Sequence, residues 1–260
     1  MSIWLKRNMA HLYDMVFCFA NTSEEDEDTL RFVNEVDKRY DLNVIWLETV
    51  TNLGRSSSTH KVVTYETASR KGECFDSMCQ KYGLPNMTFK MCTRELKLNP
   101  MRSYLRSIGW KKGSYKSAVG IRKDEMRRVS NSADVQDIIY PLIDMIPTDK
   151  DDVLAFFEDF EWDLKIPEHM GNCKTCFKKS ERKLGLVYKE NPAAFDTVIR
   201  LDTLYKNVGP NNVPGPRKMY RGYRTPVELI ADISSVDPAQ LRASDGGCSE
   251  SCELYETDPS

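Results

Sequence analysis

The chain has 260 residues, of which 40% are hydrophobic and 29% are charged, and its formal net charge is -2. This composition is sufficient for a hydrophobic core, which excludes a globally disordered chain, and the balanced charge excludes a protein that is basic over its whole surface. No apolar run approaches the roughly 18 residues of a membrane span, and no apolar signal-peptide segment follows the first residues. We therefore expect a cytoplasmic protein that does not bind a membrane.

Apolar runs and amphipathic segments alternate along the chain, which is typical of an α/β protein. Short apolar runs predict buried strands at 16–20, 43–48, 117–121 and 137–142. Apolar residues at helical spacing predict helices at about 24–40, 67–82, 93–108, 149–160, 174–188 and 192–205. The first two strands flank a helix with short connections, so they are expected to form a parallel βαβ unit. The polar segment 51–59 is expected to be a loop, and Pro100 to kink or divide its helix.

We predict a parallel-sheet α/β core over residues 1–165, followed by a cysteine-containing helical and irregular region over residues 166–260. In open parallel sheets, ligands bind at the carboxyl ends of the strands. The first strand ends at Asn21 and Thr22, whose side chains can hydrogen-bond an adenine or a ribose edge. A compatible alternative is that Thr22 or Ser23 caps the acidic helix that follows.

A second strand end carries alternating charges. Gly120 is followed by Arg122, which can hold a phosphate or sulfate with two parallel hydrogen bonds. Asp124 or Glu125 would orient the arginine or position Mg²⁺ beside the phosphates, and Arg128 would add positive charge. The alternative is a solvated loop whose charges pair with one another.

Cations also lie beside a cysteine in the predicted helix 93–108. Arg94 and Lys97 are three residues apart, so they share one helix face near Cys92. There they would attract an anionic substrate and lower the pKa of the thiol. Ser69 and Arg70 are expected to contribute in the same way. The alternative is an ordinary solvated face.

A basic stretch with interleaved tyrosines occurs late in the chain, and this pattern suits single-stranded nucleic acid. The alternative is a solvated loop. The stretch contains Arg217, Lys218, Tyr220, Arg221, Tyr223 and Arg224.

The chain has eight cysteines: Cys18, Cys74, Cys79, Cys92, Cys173, Cys176, Cys248 and Cys252. In a reducing compartment, cysteines are more often buried, metal-bound or catalytic than disulfide-bonded. Cys173 and Cys176 form a Cys-x2-Cys motif in a basic segment, and Cys248 and Cys252 form a second pair, here called the tail pair. Zinc held by both pairs is one alternative, although 71 residues separate them, against about 12–20 in zinc ribbons. An iron–sulfur cluster and plain packing residues are the others.

Six segments in order resemble the phosphoadenosine phosphosulfate (PAPS) reductase family, within the adenine-nucleotide α-hydrolase superfamily. They are residues 16–22, 67–73, 92–97, 119–125, 140–142 and 171–180. The resemblance is closest to the phage- and bacterium-encoded branch. It implies a fold like that of the adenine-nucleotide α-hydrolases, binding of ATP or PAPS with Mg²⁺, and a thiol electron donor. A homodimer is compatible with it.

The resemblance also implies a [4Fe-4S] cluster. Family members that carry one use Cys-Cys, about eighty residues, and then Cys-x2-Cys. Cys92, Cys173 and Cys176 match three of these positions, and Met91 stands at the fourth. Three thiolates would leave one iron open, unless the tail pair supplies a ligand. Reductases of the family use a mobile C-terminal cysteine as nucleophile, so Cys252 is the candidate here, although the usual Glu-Cys-Gly-x-His ending is absent.

One departure concerns the Ser-Gly-Gly-x-[Asp/Thr]-Ser phosphate loop, which no segment of this chain matches. In the family this loop would lie just before the residues aligned with Met1. We therefore expect either a start at an internal methionine or a natural variant without the loop. Three functions follow: reduction of activated sulfate, ATP-dependent sulfur transfer to an acceptor such as a nucleic acid, or a binding or regulatory role with a structural cysteine–metal site.

Overall fold

The computed structural model describes residues 1–54, 57–209 and 215–241, which form a mixed α/β architecture. The strands are β1 (Cys18–Ala20), β2 (Ile45–Val50), β3 (Thr59–Val63), β4 (Ser117–Ala118) and β5 (Ile138–Ile139). The first helices are α1 (Ser2–Met9), α2 (Glu27–Tyr40), α3 (Glu73–Tyr82), α4 (Asn99–Ser107) and α5 (Pro141–Asp144). The later ones are α6 (Lys150–Phe157), α7 (Glu181–Glu190), α8 (Asp196–Tyr205) and α9 (Pro226–Ser234).

The predicted βαβ unit is present. β1 and β2 are parallel, with Cys18 opposite Ile45, and α2 connects them. The cap of α2 is Asp26, whose side chain accepts a hydrogen bond from the Asp28 backbone N–H. The prediction that Thr22 or Ser23 caps this helix is therefore wrong.

The end of the predicted loop 51–59 instead begins β3, which pairs antiparallel with β2. The strand places Lys61 and Val62 at the surface and buries Val63, so it lacks the continuous apolar run that predicts a buried strand. The three-stranded sheet is thus mixed, in the order β1-β2-β3. Among the described residues, β4 and β5 pair in parallel as a second sheet. Each has two residues and is shorter than predicted, and after β5 the chain turns at Tyr140 into α5, which begins at Pro141.

The predicted helix 93–108 does not divide at Pro100. Its hydrogen-bond pattern changes there instead, from a π-helical turn over Thr93–Leu98 to α4. Proline has no N–H to donate. The hydroxyl of Thr49 on β2 donates to the Glu95 carbonyl at 2.8 Å, so that carbonyl has a partner.

The largest buried cluster joins α3 to the helices of the C-terminal region. Two helices of this cluster have well-defined N-termini. Gly72, with a φ of 80°, precedes α3, and the side chain of Ser180 caps α7. The fully buried side chains of this cluster include Met78, Leu96, Phe177, Leu184, Phe195, Leu201 and Leu229. Residues on both sides of position 165 therefore share one core, and the domain boundary there stays a prediction. In the described ranges, no helix combines the length and apolarity that a membrane crossing needs.

Candidate functional site

Three cysteines from distant parts of the chain line one narrow pocket. Cys92 comes from the start of the π-helical turn, and Cys173 and Cys176 come from the loop before α7. Thr22, just beyond β1, reaches the same pocket, with its Oγ1 3.5 Å from Cys173 Sγ. The remaining lining residues are Glu24, Phe75, Leu96, Lys97, Thr175, Phe177 and Met219. The structure thus brings together the three cysteines and the strand end that the sequence singled out.

The π-helical turn decides which side chains of its helix reach the pocket. Its hydrogen bonds join residues five apart, so Cys92 and Lys97 lie on one face with Leu96 between them. In an α-helix, residues three or four apart would share that face. Arg94, which was predicted to share the face of Lys97, is not among the residues that line the pocket: its Nε donates to Glu95 Oε1 at 2.8 Å and its Nη2 to Met91 Sδ at 3.1 Å.

The loop that carries Cys173 and Cys176 is fixed by its own backbone and by a lysine. The N–H of Lys174 donates to the Glu24 carbonyl at 3.2 Å, and that of Lys179 donates to the Cys176 carbonyl at 3.0 Å. The Nζ of Lys179 donates to the carbonyls of His169 and Lys174. Lys178 and Lys179 are both buried, at 4% and 3% exposure. Sequence reasoning identified the segment as basic but did not select these two lysines, which follow Cys176 after one phenylalanine.

The late basic stretch supports this loop from outside. The Tyr220 hydroxyl donates to the Thr175 carbonyl at 2.9 Å, and Arg221 Nη2 donates to the Lys178 carbonyl at 3.0 Å. Arg217 is buried, with its guanidinium 4.2 Å from the Phe89 ring centroid. The other cations of the stretch form ion pairs: Lys218 with Glu228, and Arg224 with Asp232 and Glu181. Much of the stretch therefore packs against the protein, whereas Tyr223 is 83% exposed, and binding of nucleic acid by this stretch stays a prediction.

Glu24 places a carboxyl group in the wall of the pocket. Burial raises the pKa of Glu24 to about 7, and Lys174 opposes this effect. A carboxyl with such a pKa exchanges its proton near neutral pH, which is a property of many functional sites. Sequence reasoning treated this residue only as part of an acidic first turn.

The polar side chains expected to bind a nucleotide at the end of β1 have partners within the protein. Asn21 Nδ2 donates to Glu48 Oε1 and to the Ser69 carbonyl, each at 2.8 Å. Ser69 Oγ also donates to Glu48, at 3.1 Å. Thr22 Oγ1 donates to Glu25 Oε1 at 2.6 Å.

The predicted anion-binding arginines also form internal ion pairs. Arg70 Nε lies 2.7 Å from Glu27 Oε2. Arg122 Nε lies 2.9 Å from Asp124 Oδ1, and Arg128 Nη1 lies 2.6 Å from Glu125 Oε1. Such pairs are expected both for an anion site whose carboxylates orient the arginines and for a charge-paired loop, so the anion site after β4 stays a prediction. None of the residues of this segment lines the cysteine pocket. Gly120, beside this loop, lies against the Met1 side chain. The tail pair, Cys248 and Cys252, lies outside the described residues.

The pocket contains the type of side chain, cysteine, that binds metal ions and iron–sulfur clusters through its thiolate. Thiols are the donors that iron–sulfur clusters and many zinc sites take, and here they are surrounded by a basic loop. Within residues 1–54, 57–209 and 215–241, however, no three side chains of Cys, His, Asp or Glu are already arranged as a metal-binding group.

Fold and pocket define an α/β protein with a convergent cysteine site, and comparison with known proteins gives its family. The chain is 32% identical to the uncharacterized nin region protein ORF290 of Escherichia phage lambda in an alignment 259 positions long, which covers 93% of this chain and 86% of that protein. The chain therefore belongs to the family of this phage lambda protein. It is also 28% identical to the uncharacterized protein MJ0973 of Methanocaldococcus jannaschii over 93 residues, which are 36% of this chain and 17% of that protein. No protein-family model matches, and no solved structure matches.

Proposed function

We propose that this chain is a PAPS-reductase-like protein of sulfur metabolism. Its Rossmann-like core binds an adenine nucleotide, and its cysteine pocket holds a [4Fe-4S] cluster. With these it either reduces activated sulfate to sulfite, the two electrons coming from an external thiol donor that is oxidised to a disulfide, or transfers sulfur to an acceptor. The observation that supports this proposal is the convergence of Cys92, Cys173 and Cys176 with Thr22 in one pocket. Eighty residues separate Cys92 from Cys173 in the sequence, so a common pocket is not a consequence of local spacing.

In this proposal the three thiolates hold the cluster, which supplies an open iron site for a sulfur ligand. Lys97 draws an anionic substrate to the pocket and stabilises thiolate charge. Phe75, Phe177 and Met219 line the wall and limit access of water. The Glu24 carboxyl holds or releases a proton near neutral pH.

A second candidate function is a binding or regulatory protein in which the cysteines hold a structural zinc. The observation that favours it is the internal pairing of the expected nucleotide contacts. Asn21 is engaged by Glu48, and Arg122 by Asp124 and Glu125. A protein of this kind retains its metal and does not bind ATP or PAPS.

Anaerobic purification of the full chain, with iron, sulfide and zinc analysis, tests the proposal. We expect broad absorbance near roughly 400 nm and about four irons per chain, both lost in Cys92→Ala and Cys173→Ala. Cys18→Ala is the matched control, because Cys18 lies on β1 and does not line the pocket. One zinc per chain that is retained in Cys92→Ala contradicts the cluster.

Calorimetry with ATP and with PAPS then separates the two functions. Binding of either nucleotide by the metal-loaded chain supports the enzyme, and sulfite release from PAPS or pyrophosphate release from ATP distinguishes reduction from sulfur transfer. A loaded chain that binds neither nucleotide supports the regulatory protein.

A further inference from the structure

A strongly basic segment of the chain lies outside the cysteine pocket for most of its length. Between Glu95 and Asp124 the sequence contains no acidic residue, although acidic residues outnumber basic ones in the whole chain, 39 to 37. The exposed cations of its central part are Arg102, Arg106, Lys111, Lys112 and Lys116. None of these five forms an ion pair with a described residue, unlike Lys218 and Arg224 of the late basic stretch.

The local structure gathers these cations on α4 and the loop that follows it. Arg102 and Arg106 are four residues apart, so they share one face of α4. The Trp110 N–H donates to the Leu105 carbonyl at 2.9 Å, which folds the loop back onto the end of the helix. Close to this end, Arg106 and burial together lower the pKa of His60, with burial the larger cause.

Aromatic rings are interleaved with the cations. Trp110 and Tyr115 contact each other, with ring centroids 5.8 Å apart, and both are half-buried beside exposed lysines. The backbone beside and between them is open, since a Cβ at Gly109 or at Gly113 would meet nothing within 4 Å. Cations beside partly exposed aromatic rings are the combination by which proteins bind single strands.

We infer that α4 and the loop to Lys116 form a binding surface for single-stranded nucleic acid, here called the basic surface. Its cations, listed above, contact the phosphates, and Trp110 and Tyr115 stack on bases. A membrane is less well suited, because Ile108, at 43% exposure, is the exposed large apolar side chain of this segment within the described residues. The inference goes beyond the proposed function and requires neither the metal nor the adenine nucleotide.

Fluorescence anisotropy with labelled 20-nucleotide single strands of DNA and RNA tests the basic surface. The full chain is expected to bind, with an affinity that falls about 50-fold between 50 and 200 mM salt if four phosphates are contacted. Lys111→Glu/Lys112→Glu is expected to weaken binding at least tenfold and to reduce the salt dependence. Trp110→Ala is expected to weaken binding about tenfold, and Trp110→Phe much less, because phenylalanine retains a stacking face.

The matched control is Lys38→Glu/Lys189→Glu, which reverses two exposed lysines on α2 and α7. Its affinity should equal that of the unmodified chain, and circular dichroism should show every variant folded. Absence of binding at 50 mM salt overturns the inference. Equal weakening of binding by the control substitutions also overturns it. A further contradicting result is that heparin and anionic phosphatidylserine vesicles bind as tightly as the single strands, with affinities that Trp110→Ala leaves unchanged.

Discussion

Alanine in place of Gly83 is expected to cost more than about 3 kcal/mol of unfolding free energy, which is a large part of the about 5–15 kcal/mol that is typical of folded proteins. Gly83 ends α3 with φ 76° and ψ -174°, a conformation that is essentially confined to glycine. A Cβ there would stand 1.9 Å from the Val208 carbonyl oxygen, which is backbone and cannot rotate away. The check is urea denaturation followed by far-UV circular dichroism.

Gly113→Ala is the matched control for this substitution. Gly113 has a similar φ of 84°, but a Cβ at this position would meet nothing within 4 Å. Only backbone strain is added, so the expected loss is about 1 kcal/mol. Equal losses in Gly83→Ala and Gly113→Ala would show that the contact with Val208 does not matter.

Removal of the Glu95 carboxylate is expected to destabilise the chain by about 3 kcal/mol. Glu95 is 1% exposed and lies in the π-helical turn. Its carboxylate accepts from Arg94 Nε and Ser58 Oγ, each at 2.8 Å, and from Asn99 Nδ2 at 3.1 Å. Glu95→Ala leaves these donors without a partner, whereas Glu95→Gln keeps the volume and one oxygen. Thermal and urea denaturation of both variants should therefore give the larger loss for alanine.

The same residue predicts a pH dependence. Burial raises the pKa of Glu95, but hydrogen bonds from Arg94 and Ser58 outweigh it and hold the pKa below its usual value of 4.5. Because the folded-state pKa is depressed, the stabilisation is present above 4.5 and is lost as the pH falls through the folded-state pKa. Urea midpoints of the unmodified chain should therefore decrease more steeply below that pH than those of Glu95→Gln. Parallel pH profiles would contradict the assignment.

Local patterns in the sequence were sufficient for the βαβ unit and for most helices. The acidic turn before α2 and the apolar runs around β1 and β2 depend only on residues that are close in sequence. They can therefore be recognised without knowledge of the tertiary structure. β3 was missed because its stability comes from pairing with β2, which local periodicity does not encode. The π-helical turn was missed for a related reason, since the Thr49 hydroxyl that satisfies the Glu95 carbonyl belongs to another strand.

The residues of the candidate site also fall into two groups, those that the sequence predicted and those that it did not. The spacing of Cys92, Cys173 and Cys176 and their family resemblance predicted a common site, and the three do line one pocket. The roles of charged residues were harder to predict, because the sequence does not distinguish an arginine that is available to a ligand from one that is paired with a carboxylate. Arg122 pairs with carboxylates two and three residues away, whereas Arg102 and Arg106 have no carboxylate within the same segment.

The π-helical turn holds one residue more than an α-helix needs to cover the same rotation between the cysteine pocket and the basic surface. Loss of one residue between Cys92 and Pro100 would allow uninterrupted α-helical bonding, and the helix beyond would keep its orientation about the axis. Arg106 lies only about 14 Å along the helix from Lys97, so the basic surface would keep its place relative to the pocket. We therefore expect related proteins to differ by this one residue without losing either surface, the difference being confined to which side chains between Cys92 and Pro100 face the pocket.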